Sequence, residues 1–307
     1  MPDRDDLAER FEDHRTHLRA VAYRMLGSLA EADDVLQDAW LRASRADVSS
    51  VANLGGWLTT IVARLCLDQL RARASRRETS IDLAMPDPIV SSAEGVDPEQ
   101  EALLADSIGL AMLIVLETLT PAERLAFVLH DSFGLPFDQI APIVGRTTEA
   151  TRQLASRGRR RLRGATASAA VPLARQWELV DAFLVAARQG SIEALVHVLD
   201  PDVVARADTG GTVGSPGRTY VRGFDAVARQ ALTFRRFAPG ARRALVNGSA
   251  GLLVLDGDRP YAVLGFTFDR AAITGIDILV DPERLAKLDL SAIGRPTQAS
   301  PSRPVTS

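Results

Sequence analysis

Phe137-Asp-Gln-Ile-Ala-Pro-Ile-Val-Gly-Arg-Thr-Thr-Glu-Ala-Thr-Arg-Gln-Leu-Ala-Ser-Arg-Gly-Arg-Arg-Arg-Leu-Arg163 is two short amphipathic segments separated by a glycine, the second closing in clustered arginine. The first segment would turn Phe137, Ile140 and Val144 to one side, Gly145 would supply a left-handed turn, and Thr147 or Thr148 would cap the next helix. On that second helix Ala150 and Leu154 are expected to face inward. A projection of about 100° per residue gathers Thr148, Arg152, Ser156, Arg159 and Arg163 on the outer side, with Arg160 beside them. Arginine in such a row neutralises phosphates or grips guanine, and short hydroxyls reach phosphate or base edges. The stretch therefore predicts a DNA-binding helix-turn-helix. Charge alone would also allow a solvated basic helix end.

The 307 residues leave room for two or three domains, and a hydrophobic content of 46% is enough to fill their cores. A net charge of -3 looks wrong for a DNA binder until the charges are placed. Glu31, Asp33, Asp34 and Asp38 lie in one stretch and the arginines in others, so the average hides local fields. Cys66 is the single cysteine and sits in an apolar helical pattern, which excludes a disulfide framework or a cysteine zinc site within one chain. No apolar run approaches the roughly 18 residues of a membrane span, and the acidic start Met1-Pro-Asp-Arg-Asp-Asp lacks the order of a signal peptide. The expectation is a cytoplasmic protein with no membrane partner, no metal and no cofactor, its mature chain starting near residue 1.

Helical periodicity runs from Leu7 to about Arg77, predicting a helical domain over residues 1–78. Residues 79–105 carry Pro86, Pro88 and Pro98 among serines and acids with no sustained period, as a linker does. Helices resume over 106–165, where Thr120-Pro-Ala-Glu forms a capping box, and Ala165 to Val171 reads as a second short linker. Residues 172–293 change class: two amphipathic helices, at 177–188 and 192–199, precede β-type runs at 244–246, 252–255, 261–268 and 273–280. Asn247-Gly248, Asp256-Gly257-Asp258 and Asp269-Arg270 punctuate them. That order predicts an α+β domain with a curved antiparallel sheet. The Pro-, Ser- and Thr-rich tail over 294–307 is expected to be disordered. The chain as a whole is thus expected to be multidomain, two all-α domains followed by an α+β domain.

Two further stretches point to partners. Glu31-Ala-Asp-Asp-Val-Leu-Gln-Asp-Ala-Trp-Leu41 puts Glu31, Asp34 and Asp38 on one helix face, a stripe that repels DNA phosphate and suits a protein with a basic surface. Leu54 to Arg71 predicts a helix with Leu58, Ile61, Val62 and Leu65 inward and Thr60, Arg64 and Arg71 outward, a face suited to a nucleic-acid backbone. Trp57 near its start can pack in the core or stack on a base.

Taken in order, these three stretches resemble the extracytoplasmic-function sigma factors of bacterial RNA polymerase over about residues 7–164. The resemblance implies that the acidic helix, matching region 2.2, docks on the β′ clamp helices of core RNA polymerase. It implies that Trp57, Thr60, Arg64 and Arg71, matching region 2.4, contact and melt the minus-ten element of promoter DNA, together with the loop at about 44–53. It implies that the second helix of the helix-turn-helix, matching region 4.2, reads the minus-thirty-five element. Leu65-Cys66 stands where many members carry asparagine after the arginine, a departure in the base contacts.

Phe183 to Leu195, then Asp200-Pro-Asp-Val-Val and Ala207-Asp-Thr-Gly-Gly211, resemble a SnoaL-like domain of the NTF2-like cone fold, which marks a subgroup of these sigma factors. Membership implies that the cone tunes sigma activity. It also implies an interdomain role for altered forms of three signatures: Met85-Pro-Asp-Pro88 with Pro86 and Pro88, Asp208-Thr-Gly-Gly211 with Gly210 and Gly211, and Asp281-Pro-Glu-Arg-Leu285 with Asp281 and Pro282. A cone pocket is also where a small-molecule ligand could bind. Asp208 and Asp277 are the carboxylates that could serve a cone enzyme as general base, but no histidine neighbours either in sequence, His197 is expected to be structural, and Asp208 beside two glycines also suits a turn. No catalysis is expected. The alternative function is a one-component regulator whose helix-turn-helix binds an operator while the cone senses a ligand; it has no need of the acidic helix.

Overall fold

The computed structural model describes residues 4–49, 51–76, 85–93, 109–162, 171–211, 217–269, 272–290 and 293. The amino-terminal part is three helices, α1 (Arg4–Leu26), α2 (Leu29–Ala43) and α3 (Leu54–Arg76). Ser28 starts α2 by accepting the Glu31 N–H, relieving one of the unpaired donors of a first helical turn. Four more helices follow the linker: α4 (Leu110–Leu116), α5 (Pro121–Phe127), α6 (Phe137–Val144) and α7 (Thr148–Leu162), with a π-helical turn at Val128–Ser132. Thr120 and Glu123 form the reciprocal capping box expected at α5. Gly145 ends α6 at φ 71°, a left-handed conformation that costs glycine no Cβ clash.

The two helical groups share one hydrophobic core. Leu18, Met25, Leu36, Leu58, Val62 and Leu67 of α1 to α3 belong to the same buried cluster as Leu113, Leu116, Leu125, Leu129 and Ile140 of the later helices. Phe133, after the π-helical turn, meets His17 edge-on at 5.1 Å and lies 4.5 Å beneath the Arg24 guanidinium.

The carboxy-terminal part has α8 (Leu173–Gln189), α9 (Ile192–Val196), β2 (Leu199–Asp208), β3 (Arg218–Arg222), α10 (Phe224–Thr233), β4 (Ala241–Val246), β5 (Ser249–Asp256), β6 (Arg259–Asp269), β7 (Ala272–Leu279) and the short α11 (Pro282–Leu285). Its sheet has the order β1-β4-β5-β6-β7-β2-β3, where β1 is Val90–Ser92 ahead of the cone. The expected antiparallel sheet is corrected at one pairing, because β2 runs parallel to β7. The chain leaves β2 through β3 and α10 before starting the β4 to β7 meander, so β7 returns beside β2 in the same direction.

The linker also differs from the expectation. Within it, β1 (Val90–Ser92) pairs antiparallel with β4, Val90 opposite Val246 and Ser92 opposite Ala244. A stretch with no period of its own thus becomes the edge strand of a sheet more than 150 residues away, a pairing that only tertiary context supplies. Linker residues 79–84 and 94–105, Arg163, the segment 165–170 and the tail 294–307 lie outside the described residues.

Alternation along the meander gives the sheet two apolar faces. Leu252, Val254, Leu264, Phe266, Ile276 and Ile278 pack with α8 and α10 in the cone interior. Leu253, Val263 and Leu279 face outward into a second cluster with Met85 and Val90 of the linker and Leu110 and Ile114 of α4. Both linker and α4 are therefore fastened to the outside of the cone sheet. Burying a side chain such as Leu253 or Leu110 contributes about 1.5–3 kcal/mol.

Candidate functional site

Helix α2 buries Ala32, Val35, Leu36, Ala39 and Ala43, which turns Asp34 and Asp38 to solvent. Glu31, expected on the same open face, is held by Arg73 of α3, and Asp33 takes a two-pronged contact from Arg19 at 2.7 and 3.0 Å. The free acidic stripe therefore narrows to Asp34 and Asp38. Beside it a groove of about 330 Å³ runs between α1 and α2. Phe11 and Trp40 meet edge-to-face there at 5.3 Å, and Glu12, Asp33 and Asp34 also line it.

On α3, Leu58, Val62 and Leu65 are buried as expected. Arg64 and Arg71 are exposed and Thr60 half-buried, its hydroxyl donating to Gly56 O at 2.9 Å. Trp57 is partly buried against the helical core. Arg71 Nη2 lies 3.5 Å from Val144 O at the end of α6, so the helix expected to contact one promoter element touches the unit expected to read the other.

The inward face of α7 is corrected. Thr151, Ala155, Gly158 and Leu162 are its buried residues, while Ala150 and Leu154 are half-buried at its margin. Gly158 is there because α5 passes so close that a Cβ would sit 3.2 Å from Phe127 Cβ, a contact the arginine pattern did not announce. Arg152, Ser156, Arg159 and Arg160 are exposed and Thr148 is half-buried. Arg159 Nε donates to Asp131 of the π-helical turn at 2.6 Å. Arg152 pairs with Glu149 at 3.4 Å and lies 5.9 Å over the Phe137 ring, which also stacks on His130 at 3.8 Å.

The three signatures meet, through Asp208 as expected and through Asp87 and Arg284, which were not singled out. Arg284 of α11 donates to Asp87 Oδ1 through Nε at 3.1 Å and Nη2 at 2.6 Å. It also donates to Met85 O at 2.6 Å and, through Nη1, to Asp208 Oδ2 at 2.9 Å. Asp208 is buried, with Arg218 on the same oxygen at 3.4 Å. Asp281 caps α11 by accepting the Glu283 N–H at 2.9 Å. Gly210, at φ 72°, lies so near it that a Cβ would stand 2.6 Å from the Asp281 carboxyl carbon. Pro86 and Pro88 are buried, whereas Gly210, Gly211 and Pro282 are exposed. Pro282 therefore serves as the first residue of α11 rather than as a contact.

Asp87 ties the linker to the first helical group. Its N–H donates to Gly27 O at 2.8 Å, its carboxylate accepts the Leu29 N–H at the start of α2 at 3.1 Å, and its carbonyl accepts the Tyr23 hydroxyl at 2.5 Å. Asn247 Nδ2 in turn donates to the Tyr23 oxygen at 3.0 Å, and Asn247 exchanges bonds with Ile89 on both sides. Burial pushes the Tyr23 phenol above its ordinary value, with the Asn247 bond opposing the shift, so Tyr23 remains the donor. Asp87 and Arg284 had a linear hint only as members of the quoted signatures that were not singled out; Tyr23 had none, and Asn247 was read only as a turn residue.

The two carboxylates considered as cone bases are both engaged by arginine. Asp277, on β7, takes two contacts from Arg206 at 2.6 and 3.1 Å; burial raises its pKa while Arg206 opposes the rise. His197, expected to be structural among apolar neighbours, is exposed at the end of α9, because α9 closes a turn earlier than those neighbours suggested. The cone interior keeps an apolar space of about 50 Å³, with Phe183, Leu252, Val254 and Ile276 among its walls, well below the roughly 300–1,000 Å³ of a drug-sized site. No helix among the described residues is long and apolar enough to cross a membrane.

Comparison with known proteins agrees with this arrangement. The Sigma-70 region 2 family matches residues 10–76 and the Sigma-70, region 4 family matches residues 111–162. The ECF RNA polymerase sigma factor SigJ of Mycobacterium tuberculosis is 40% identical over 266 residues, 82% of this chain and 84% of the relative. The probable ECF RNA polymerase sigma factor SigI of the same species is 35% identical over 291 residues, 94% of this chain and 98% of the relative. The crystal structure of the M. tuberculosis SigJ matches with a TM-score of 0.73 at 33% identity, covering 92% of this chain and 99% of that one.

Proposed function

The chain belongs to the extracytoplasmic-function sigma factors of RNA polymerase, and we propose that the form described above is a closed state which its own cone stabilises. A sigma factor binds core RNA polymerase and directs it to promoter DNA. It works by binding energy and base capture, and the polymerase does the chemistry. Within that function Asp34 and Asp38 of α2 meet the polymerase clamp helices, with the α1–α2 groove beside them. Trp57, Thr60, Arg64 and Arg71 face the minus-ten element, and α7 enters the major groove at the minus-thirty-five element. Action on polymerase and chromosome puts the protein in the cytoplasm.

One observation carries the closed-state reading: Arg71 of α3 stands 3.5 Å from Val144 O of α6. Promoter elements about 25 base pairs apart lie about 85 Å from each other along B-DNA. Helices in van der Waals contact cannot serve both, so the shared core of α1 to α7 must part when the promoter is engaged. The cone opposes that parting by holding α4 on its outer sheet face and the linker through Asp87 and Arg284.

Two outcomes are expected. With donor and acceptor dyes on Asp13→Cys and Arg146→Cys, both exposed positions, energy transfer should be high in the free chain and fall on adding core polymerase and promoter DNA. Cys66 is buried and stays unlabelled. Equal transfer in both states would refute the closed form. Separately, the double variant Asp34→Lys, Asp38→Lys should weaken polymerase binding by tenfold or more while its thermal unfolding stays within a few degrees of wild type. Unchanged polymerase affinity in the folded variant would remove this face from the interface.

A further inference from the structure

The buried row Thr151, Ala155, Gly158 and Leu162 fixes how α7 is rotated in the protein. Counting about 100° per residue from its centre, Gln153 and Arg160 point directly away from the core, with Ser156 and Arg157 within about 50° of that line. Arg152 and Arg159 sit about 90–110° off it, on the flank beside α6 and the π-helical turn. Their contacts agree: Arg159 is bound by Asp131, and Arg152 by Glu149 and the Phe137 ring. The side chains of Gln153, Arg157 and Arg160 are exposed and make no hydrogen bond or ion pair among the described residues.

We infer that the base-reading edge of α7 is Gln153 with Arg157, selecting an adenine and a guanine, and that Arg152 and Arg159 serve the flanking phosphates. The inference rests on the reading of α7 as the promoter-recognition helix. A glutamine amide presents one donor and one acceptor, the match for adenine N6 and N7, and an arginine fork matches guanine O6 and N7. Gln153 and Arg157 are one turn apart, about 6 Å along the axis, so they reach base pairs about two steps from each other. Exposed ion pairs such as Arg159 with Asp131 are worth about 1 kcal/mol or less. Asp131 therefore yields to a phosphate, which supplies the same charge from the same side, and until then it keeps the guanidinium off the reading edge.

The test is selection of bound duplexes from a library with randomised base pairs, using the full chain. Wild type should enrich an adenine and a guanine about two base pairs apart, each preferred by about 5- to 150-fold. Gln153→Ala should lose the adenine preference and keep the guanine; Arg157→Ala should do the reverse. Gln153→Glu should turn the adenine preference into one for cytosine, whose N4 amino group donates to a carboxylate. That switch requires a folded protein, so it separates misreading from misfolding. Arg152→Ala and Arg159→Ala should weaken all sequences alike and flatten the salt dependence. Unchanged base preferences in the Gln153 and Arg157 variants, with a preference lost in Arg152→Ala, would overturn the assignment and leave α7 as the reading helix. A wild-type chain that selects no sequence would overturn both.

Discussion

Arg124→Met should lower the free energy of unfolding by about 3–5 kcal/mol, the cost of leaving one partner of a buried ion pair alone. Arg124 is 2% exposed and donates to Glu117 Oε1 at 2.6 Å, and that glutamate is 5% exposed. Its Nε and Nη2 also donate to Arg24 O at 3.2 and 3.1 Å, near the end of α1. One side chain thus neutralises a buried carboxylate in the second helical group and supplies a carbonyl of the first with its donors. Methionine fills much of the same volume but leaves both acceptors without a partner. The double variant Arg124→Met, Glu117→Leu should regain most of the loss, because exchanging a buried pair for apolar residues is close to neutral. Urea unfolding at constant m-value measures both. A single-variant loss below about 1 kcal/mol would mean that water reaches the pair.

Leu110→Ala should release the closed state rather than merely weaken the fold. Leu110 is 5% exposed and lies over Gly265 of β6, where a Cβ would come within 2.9 Å of its Cδ2. Removing the buried side chain costs about 2–5 kcal/mol in the closed form. In the open form Leu110 is off the sheet and the cost largely vanishes. A contact that exists in only one of two states shifts their balance by its full worth, here more than tenfold towards the open form. Transcription from the cognate promoter should therefore rise at limiting sigma concentration, and energy transfer in the free labelled chain should fall. If transcription and transfer both match wild type, the cone does not restrain α4.

What the sequence made legible follows from how local each signal was. The turn at Gly145, the capping box at Thr120 and the apolar face of α3 depend on residues a few positions apart, and each stands where expected. The acidic stripe was half legible: periodicity brought Glu31, Asp34 and Asp38 together but could not show that Arg73 would claim Glu31. The rotation of α7 was misjudged because Thr151 and Gly158, polar and minimal, are among its buried residues, and Gly158 packs closely on the neighbouring α5. The least legible element was β1. Its partner Val246 and the ties of Asp87 to Tyr23 and Arg284 cross 64 to 197 positions, and no periodicity reports a contact of that span.

Having β1 inside the cone sheet also sets where along its tether the cone rides. On the side of the first helical group, the Asp87 bonds to Gly27 and Leu29 leave no slack at all. When the two units proposed to bind the promoter separate, the cone therefore keeps company with the unit proposed for the minus-ten element. On the function proposed above, it is then carried to the point of DNA opening as cargo with a fixed berth.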